Sequence, residues 1–281
     1  MKLRNVERST VFSKEVETYC NIHNLQGLSR TDNGYKLAFE AIDIENDRVA
    51  DFKLVLPENE IFLKTLFANK IGCDFAVFLH KARPNDEFVS VGTYRLNESE
   101  DQPVVIEKHK YTVPEFIDWW KTIREGRQTK GYRPHMREAL QNSYFDSLFA
   151  DNESSWATNV DGFIVSTDEN GKAKIAGVVE NRFSTNGNLE DYDPNNYYQP
   201  SAYNGGDHQT WDVLKDLRDR LNVPLFLFTY SRKEGYEHKV GITIVNEINH
   251  ETGLHYLEDI KPGDNIFANV EDANTFIVSK I

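Results

Sequence analysis

Residues 177–183 read GVVENRF, an apolar run that ends by setting one carboxylate and one guanidinium two residues apart. Side chains alternate along an extended chain, so Val178, Glu180 and Arg182 take one face and Val179 and Asn181 the other. Two readings are open for such a pair. It is a surface ion pair worth well under ~1 kcal/mol, or it is one edge of a catalytic site at the end of a buried strand. The flanking sequence supplies the context. DGFIVST (161–167) is a second strand, joined to KAKIAGVVENRF (172–183) across DENGK, where Asn170-Gly171 is a strong tight-turn dipeptide.

Downstream, 184–206 is a polar, tyrosine-rich loop longer than the usual limit of about 12–15 residues. Asp207 then caps a helix whose Trp211, Leu214, Leu217 and Leu221 form an apolar side. NVPLFLFTYS (222–231) has the continuous apolar character of a strand covered on both faces, and KVGITIVNEI (239–248) is a further strand. Upstream, 134–150 spaces Met136, Leu140, Phe145 and Leu148 as one buried helical stripe. The first hundred residues read as mixed α/β. Strands over 35–44 and 48–57 form a hairpin about Glu45-Asn46-Asp47, a helix over 58–72 stops at Gly72, and strands follow over 73–82 and 88–97. Residues 98–133 read as a connection holding one helix, 113–126, opened by Pro114. No internal repeat is visible.

A chain of 281 residues with 39% hydrophobic and 12% aromatic residues has the material for a substantial core. Its net charge of −13 opposes a nucleic-acid partner in general, so any phosphate contact has to come from local clustering. Such a cluster exists: Lys121, Arg124, Arg127, Lys130, Arg133 and Arg137 stand against the single acid Glu125, with Tyr132 among them. Two cysteines make no disulfide framework and no zinc pattern, which fits a reducing cytoplasm. The N-terminus lacks the apolar core of a secretory signal, and no apolar stretch reaches the ~18–20 residues that span a bilayer. The expectation is a soluble cytoplasmic protein with no membrane partner. HETGLH (250–255) spaces its histidines five apart around Gly253 and is a turn rather than a zinc helix.

The order of helix, strand with Asp161, hairpin, strand with Glu180-x-Arg182, loop, helix and buried strand resembles the PD-(D/E)XK, or restriction-endonuclease-like, nuclease superfamily over about residues 134–248. The resemblance implies an α/β (α+β) fold with a mixed sheet flanked by helices. It divides the chain into an N-terminal mixed α/β accessory domain (1–112), a helical basic connection (113–133) and a nuclease-like core (134–281). It also implies a hydrolase of phosphodiester bonds in DNA, an endo- or exonuclease using Mg²⁺ or Mn²⁺. Asp161 and Glu180 would be the metal ligands, with Glu138 on the preceding helix as a third; Arg182 would contact phosphate and Gln209 would orient water or backbone.

The chemistry is coherent, since magnesium is usually held by one or two carboxylates plus waters and substrate phosphate. Two departures stand out: Val160 precedes Asp161 in place of proline, and arginine replaces lysine at 182. Arginine cannot act as a general base but forms a bidentate fork to phosphate. On this reading Arg124, Arg127, Lys130, Arg133 and Arg137 grip the DNA backbone. The alternatives are a degenerate nuclease-fold binding or assembly module, and an acidic factor of phage or mobile-element origin that binds a basic protein. A second copy of the chain is the other partner the sequence leaves open.

Overall fold

The computed structural model describes residues 10–44, 56–81, 88–97, 99, 101–124, 145, 148–149, 152, 158–184, 187–193, 208–249 and 251–281. Helix α1 (Val11–Tyr19) starts at Thr10, where a reciprocal capping box with Ser13 satisfies two backbone donors. Strands β1 (Ile22–Thr31) and β2 (Gly34–Ile44) form an antiparallel hairpin, helix α2 (Glu58–Lys70) crosses over, and β3 (Asp74–Lys81) returns parallel to β2. Strands β4 (Phe88–Asn97) and β5 (Gln102–Thr112) add antiparallel, and α3 (Val113–Ile123) follows, capped by Thr112 and Glu115. The second half runs β6 (Thr158–Thr167), β7 (Ala173–Ser184), α4 (His208–Leu221), β8 (Leu225–Ser231), β9 (Val240–Asn249), β10 (Gly253–Tyr256), β11 (Ile266–Phe267) and α5 (Val270–Val278).

The chain divides into two compact units, one built from residues of 25–159 and the other from those of 8–24 and 160–281. The boundary at 159/160, with α1 in the second unit, differs from the divisions expected near 112 and 133. Each unit is mixed α/β. In the first, the strand order is β1-β2-β3-β4-β5. Phe39, Phe78, Phe116, Trp120, Phe145 and Phe149 form its core on one face. Phe39 stacks on Phe78 at 4.7 Å and meets Trp120 edge-on at 5.1 Å, the offset and T-shaped geometries that ring quadrupoles favour. In the second, the order is β10-β9-β8-β7-β6, with β11 also on β9. Val16 of α1 and Ala273 and Ile277 of α5 pack with Val179, Phe226, Phe228 and Ile242. Every residue of β8 is buried, Leu225 to Phe228 as the apolar run requires and Thr229 and Ser231 with them.

The hairpin β6–β7 forms as its turn dipeptide predicts. Gly171 takes φ 76°, and Asp168 accepts the backbone N–H groups of Asn170 and Lys172. Elsewhere the structure differs from the sequence expectation. Strand β2 takes β1 and β3 as neighbours, while residues 48–55, its expected partner, lie outside the described residues. Residues 102–112, read as part of a connection, are a strand pairing β4 along its whole length. Most of β5 is exposed, so backbone pairing holds it without the alternation that burial writes into a sequence. Of the expected helix 134–150, only Phe145, Leu148 and Phe149 are described, and they are helical and buried.

Among the described residues, and apart from α1 in the second unit and the helical residues Phe145, Leu148 and Phe149 in the first, both units share one succession of elements. The first is β1-β2-α2-β3-β4-β5-α3; the second is β6-β7-α4-β8-β9-β10-α5, with the short β11 before its last helix. In each, a hairpin is followed by a helical crossover to a parallel strand and then by two antiparallel strands. No helix among the described residues is long and apolar enough to cross a membrane.

Candidate active site at the end of the β6–β7 hairpin

The last pair in register at the mouth of this hairpin is Gly162 opposite Val179. Asp161 and Glu180 are the next residues of the two strands beyond that pair, and the Asp161 carboxylate takes the backbone N–H that follows Glu180. Strand β7 is buried through Glu180 and half-buried from Asn181 to Ser184, so the polar residues fall where the strand leaves the core. Its parallel neighbour β8 sets Leu227 level with Glu180.

Glu180 is 5% exposed. Its Oε1 accepts from Arg182 Nη2 at 2.9 Å, and the Arg182 guanidinium lies 5.3 Å from the ring centroid of buried Trp211, on α4. A cation over an indole face gains further attraction, so Arg182 is held between a carboxylate and an aromatic plane. Asn181, on the opposite face, turns towards α1: its Nδ2 donates to Glu17 Oε1 at 3.4 Å. Its backbone N–H donates to Asp161 Oδ2 at 3.0 Å.

Glu17 is the acid that sequence reasoning missed. Burial, followed by the charge of Asp161, pushes its carboxyl up to about 7, against the opposing effects of Lys14 and the Asn181 amide. Burial also holds the Tyr230 hydroxyl well above its ordinary range, aided by Glu17 and Cys20. Nothing local marked Glu17, which reads as an ordinary residue near the end of a surface helix. Glu138, expected on the helix preceding β6, lies outside the described residues. The helical residues Phe145 and Phe149 pack with Phe116 and Trp120 in the first unit. Among the described residues, the helix carboxylate beside Asp161 is Glu17 of α1.

Gln209 lies in the first turn of α4, and its side chain lies outside the described residues. Of the expected phosphate grip, Arg127, Lys130, Arg133 and Arg137 lie outside them too. Arg124 caps α3 in the first unit, its backbone N–H donating to Trp120 O at 3.0 Å. The acids at the start of loop 184–206 are tied into the fold: Glu190 accepts from the Tyr236 hydroxyl at 2.6 Å and Asp193 from that of Tyr256 at 2.9 Å. Both cysteines are free thiols, and burial pushes each up to about 12, so neither is a nucleophile.

Among the described residues, no group of three or more His, Cys, Asp or Glu side chains is arranged to hold a metal ion. A magnesium ion asks for less, namely one or two carboxylates with water and phosphate oxygens completing its shell. The residues at hand fit that demand. Asp161 and Glu17 are like charges close enough for one to raise the other, and the Asn181 Oδ1 beside them is buried with no hydrogen-bond donor. All three are oxygen donors.

The chain was compared with protein-family models, curated proteins and solved structures, and none of them matches it.

Glu17 gives the site a pH signature. Its folded pKa lies above the ordinary value of 4.5, so the stability it contributes is fully present below about 4.5 and is lost as pH rises through about 7. After discounting for partial exposure, the loss is on the order of 2 kcal/mol. Chemical denaturation from pH 4.5 to 7.5 should show this decline, and Glu17→Gln should remove it; an unchanged slope in the variant would assign the decline elsewhere.

Proposed function

We propose that the chain is a divalent-metal-dependent phosphodiesterase of the PD-(D/E)XK type acting on DNA, with the reacting phosphate at the end of the β6–β7 hairpin. The observation that supports this reading is the end of the hairpin, where Asp161 and Glu180 follow the last pair in register and Glu17 lies close enough to feel the charge of Asp161. Asp161 and Glu180 are the residues that would hold Mg²⁺, with Glu17 beside Asp161 as a base and not as a third ligand. When bound, the ion supplies a positive charge against the scissile phosphate and lowers the pKa of a coordinated water.

The remaining chemistry belongs to the chain. Arg182 stays charged throughout and offers its fork to the phosphate oxygens, exchanging Glu180 for substrate. Trp211 backs that fork, its ring centroid 5.3 Å from the guanidinium. Glu17 gives up its proton near neutrality, which suits its Oε1 to take a proton from the attacking water.

A second reading is favoured by the burial of Glu180 and its 2.9 Å bond to Arg182: a module of the same fold that holds nucleic acid without cutting it. Incubating the purified chain with single- and double-stranded DNA in Mg²⁺, Mn²⁺ or EDTA separates the two. Metal-dependent cleavage that disappears in Asp161→Asn supports the phosphodiesterase. Binding without cleavage in either metal leaves the non-catalytic module. Neither binding nor cleavage removes both, and leaves the acidic chain as a ligand for a basic protein.

A further inference from the structure

The first unit contains a position that matches the candidate site in register and in hydrogen bonding. Gly27 pairs with Phe39 as Gly162 pairs with Val179. A Cβ on either glycine would strike a side chain, Phe39 Cζ at 2.1 Å in one hairpin and Ile22 Cγ2 at 2.6 Å in the other. The next residue is a glutamate in both strands, Glu40 at 4% exposure and Glu180 at 5%. The residue before each glycine accepts the backbone N–H that follows the glutamate. Ala41 donates to Gln26 Oε1 at 2.7 Å, and Asn181 donates to Asp161 Oδ2 at 3.0 Å. Each glutamate is held by a cation of the same chain, Lys64 Nζ at 2.7 Å or Arg182 Nη2 at 2.9 Å. Each strand then runs parallel to the strand reached through the crossover helix, with Val77 level with Glu40 and Leu227 level with Glu180.

We infer that the chain is a tandem duplication of one module, and that Gln26, Glu40 and Lys64 are a second copy of the candidate site, closed by its own lysine. Three differences separate the copies. Gln26, a neutral amide, stands where the second module has Asp161, and Ile42 stands where it has Arg182. Lys64 reaches in from α2, and the Lys64–Glu40 side chains are only 3% and 5% exposed, against 21% for Arg182. The ammonium thus occupies the place of a cation in the first module, whereas the second pairs its glutamate with an arginine at the rim and keeps a second acid. The duplication stands on the fold and the hydrogen bonds; that the shared position takes a divalent cation rests on the reading proposed above.

Both claims are tested in the full chain by rebuilding the closed copy. Gln26→Asp with Lys64→Ala is made in a background carrying Asp161→Asn and Glu180→Gln, and Mn²⁺ binding is read by paramagnetic resonance and by the thermal midpoint. The background alone should bind no Mn²⁺ at these positions. The rebuilt chain should bind about one equivalent and melt higher with Mn²⁺ than with EDTA. Where the parent binds Mn²⁺, a rebuilt chain that folds and takes none overturns the closed-copy assignment; a parent that takes none sinks the proposed metal site, and the cation-binding half of the inference with it. If the rebuilt chain does not fold, Glu40→Met with Lys64→Met gives the answer. That chain should fold and retain parental Mn²⁺ binding and DNA affinity, and loss of either would overturn the closed-copy assignment.

Discussion

Glu180→Gln should lower metal-dependent cleavage of DNA by about three decades or more, because a carboxylate that holds a divalent ion supports several kcal/mol of transition-state charge stabilisation and each 1.36 kcal/mol is tenfold in rate. The substitution keeps the shape of the side chain and one oxygen acceptor for Arg182, which also retains Trp211. Its effect on folding is therefore modest, about 1–2 kcal/mol for exchanging a charged hydrogen bond for a neutral one. Single-turnover cleavage read beside the thermal midpoint separates the two effects. A folded Glu180→Gln chain that cuts at the parental rate would remove Glu180 from the site. Arg182→Lys refines the result: a lysine lacks the fork and the planar stack on Trp211, so affinity for DNA should fall even though the charge is kept.

Glu40→Ala should be among the most damaging single changes in the protein. Glu40 Oε1 accepts from Lys64 Nζ at 2.7 Å and from the Gln26 backbone N–H at 3.0 Å, in a site where both charged side chains are almost fully enclosed. Its removal leaves the buried ammonium with Glu60, partly exposed, at 3.8 Å. Breaking a buried pair from one side costs about 3–5 kcal/mol, because the remaining charge keeps its desolvation penalty. For a chain of this size the midpoint should fall by roughly 10 °C. Replacing both partners with methionine should recover most of that loss, since an apolar pair of similar volume carries no such penalty. If Glu40→Ala melts within a degree or two of the parent, the pair is not a structural element of the first unit.

How much of this was legible depended on the range of the interactions involved. Asn170-Gly171 announces the turn, the apolar run 225–230 announces a strand covered on both faces, and Trp211, Leu214 and Leu217 announce the buried side of α4. These signals are local, because each residue's neighbours in space are its neighbours in sequence. Strand β5 was not legible for the converse reason. Its Val104, Val105 and Ile106 remain exposed, and the ladder to β4 that holds it leaves no pattern in side chains. The pairing of Glu40 with Lys64 was hidden as well, since a lone lysine among apolar helix residues reads as a solvated charge until the crossover brings it to 2.7 Å from an acid.

The sequence by itself determined that Glu180 and Arg182 share a face and that Asp161 lies one tight hairpin away, because alternation and a short turn closed by Gly171 leave the backbone little freedom. Only the tertiary structure decided what surrounds them. It delivered Glu17 from a helix some 160 positions away in sequence, turned Asn181 towards that acid, and laid Trp211 against the arginine. It also set two hairpins with unlike sequences into the same register, each around a buried glutamate. Such agreements arise from packing and from the desolvation of charge, and both act between residues that are strangers in the chain.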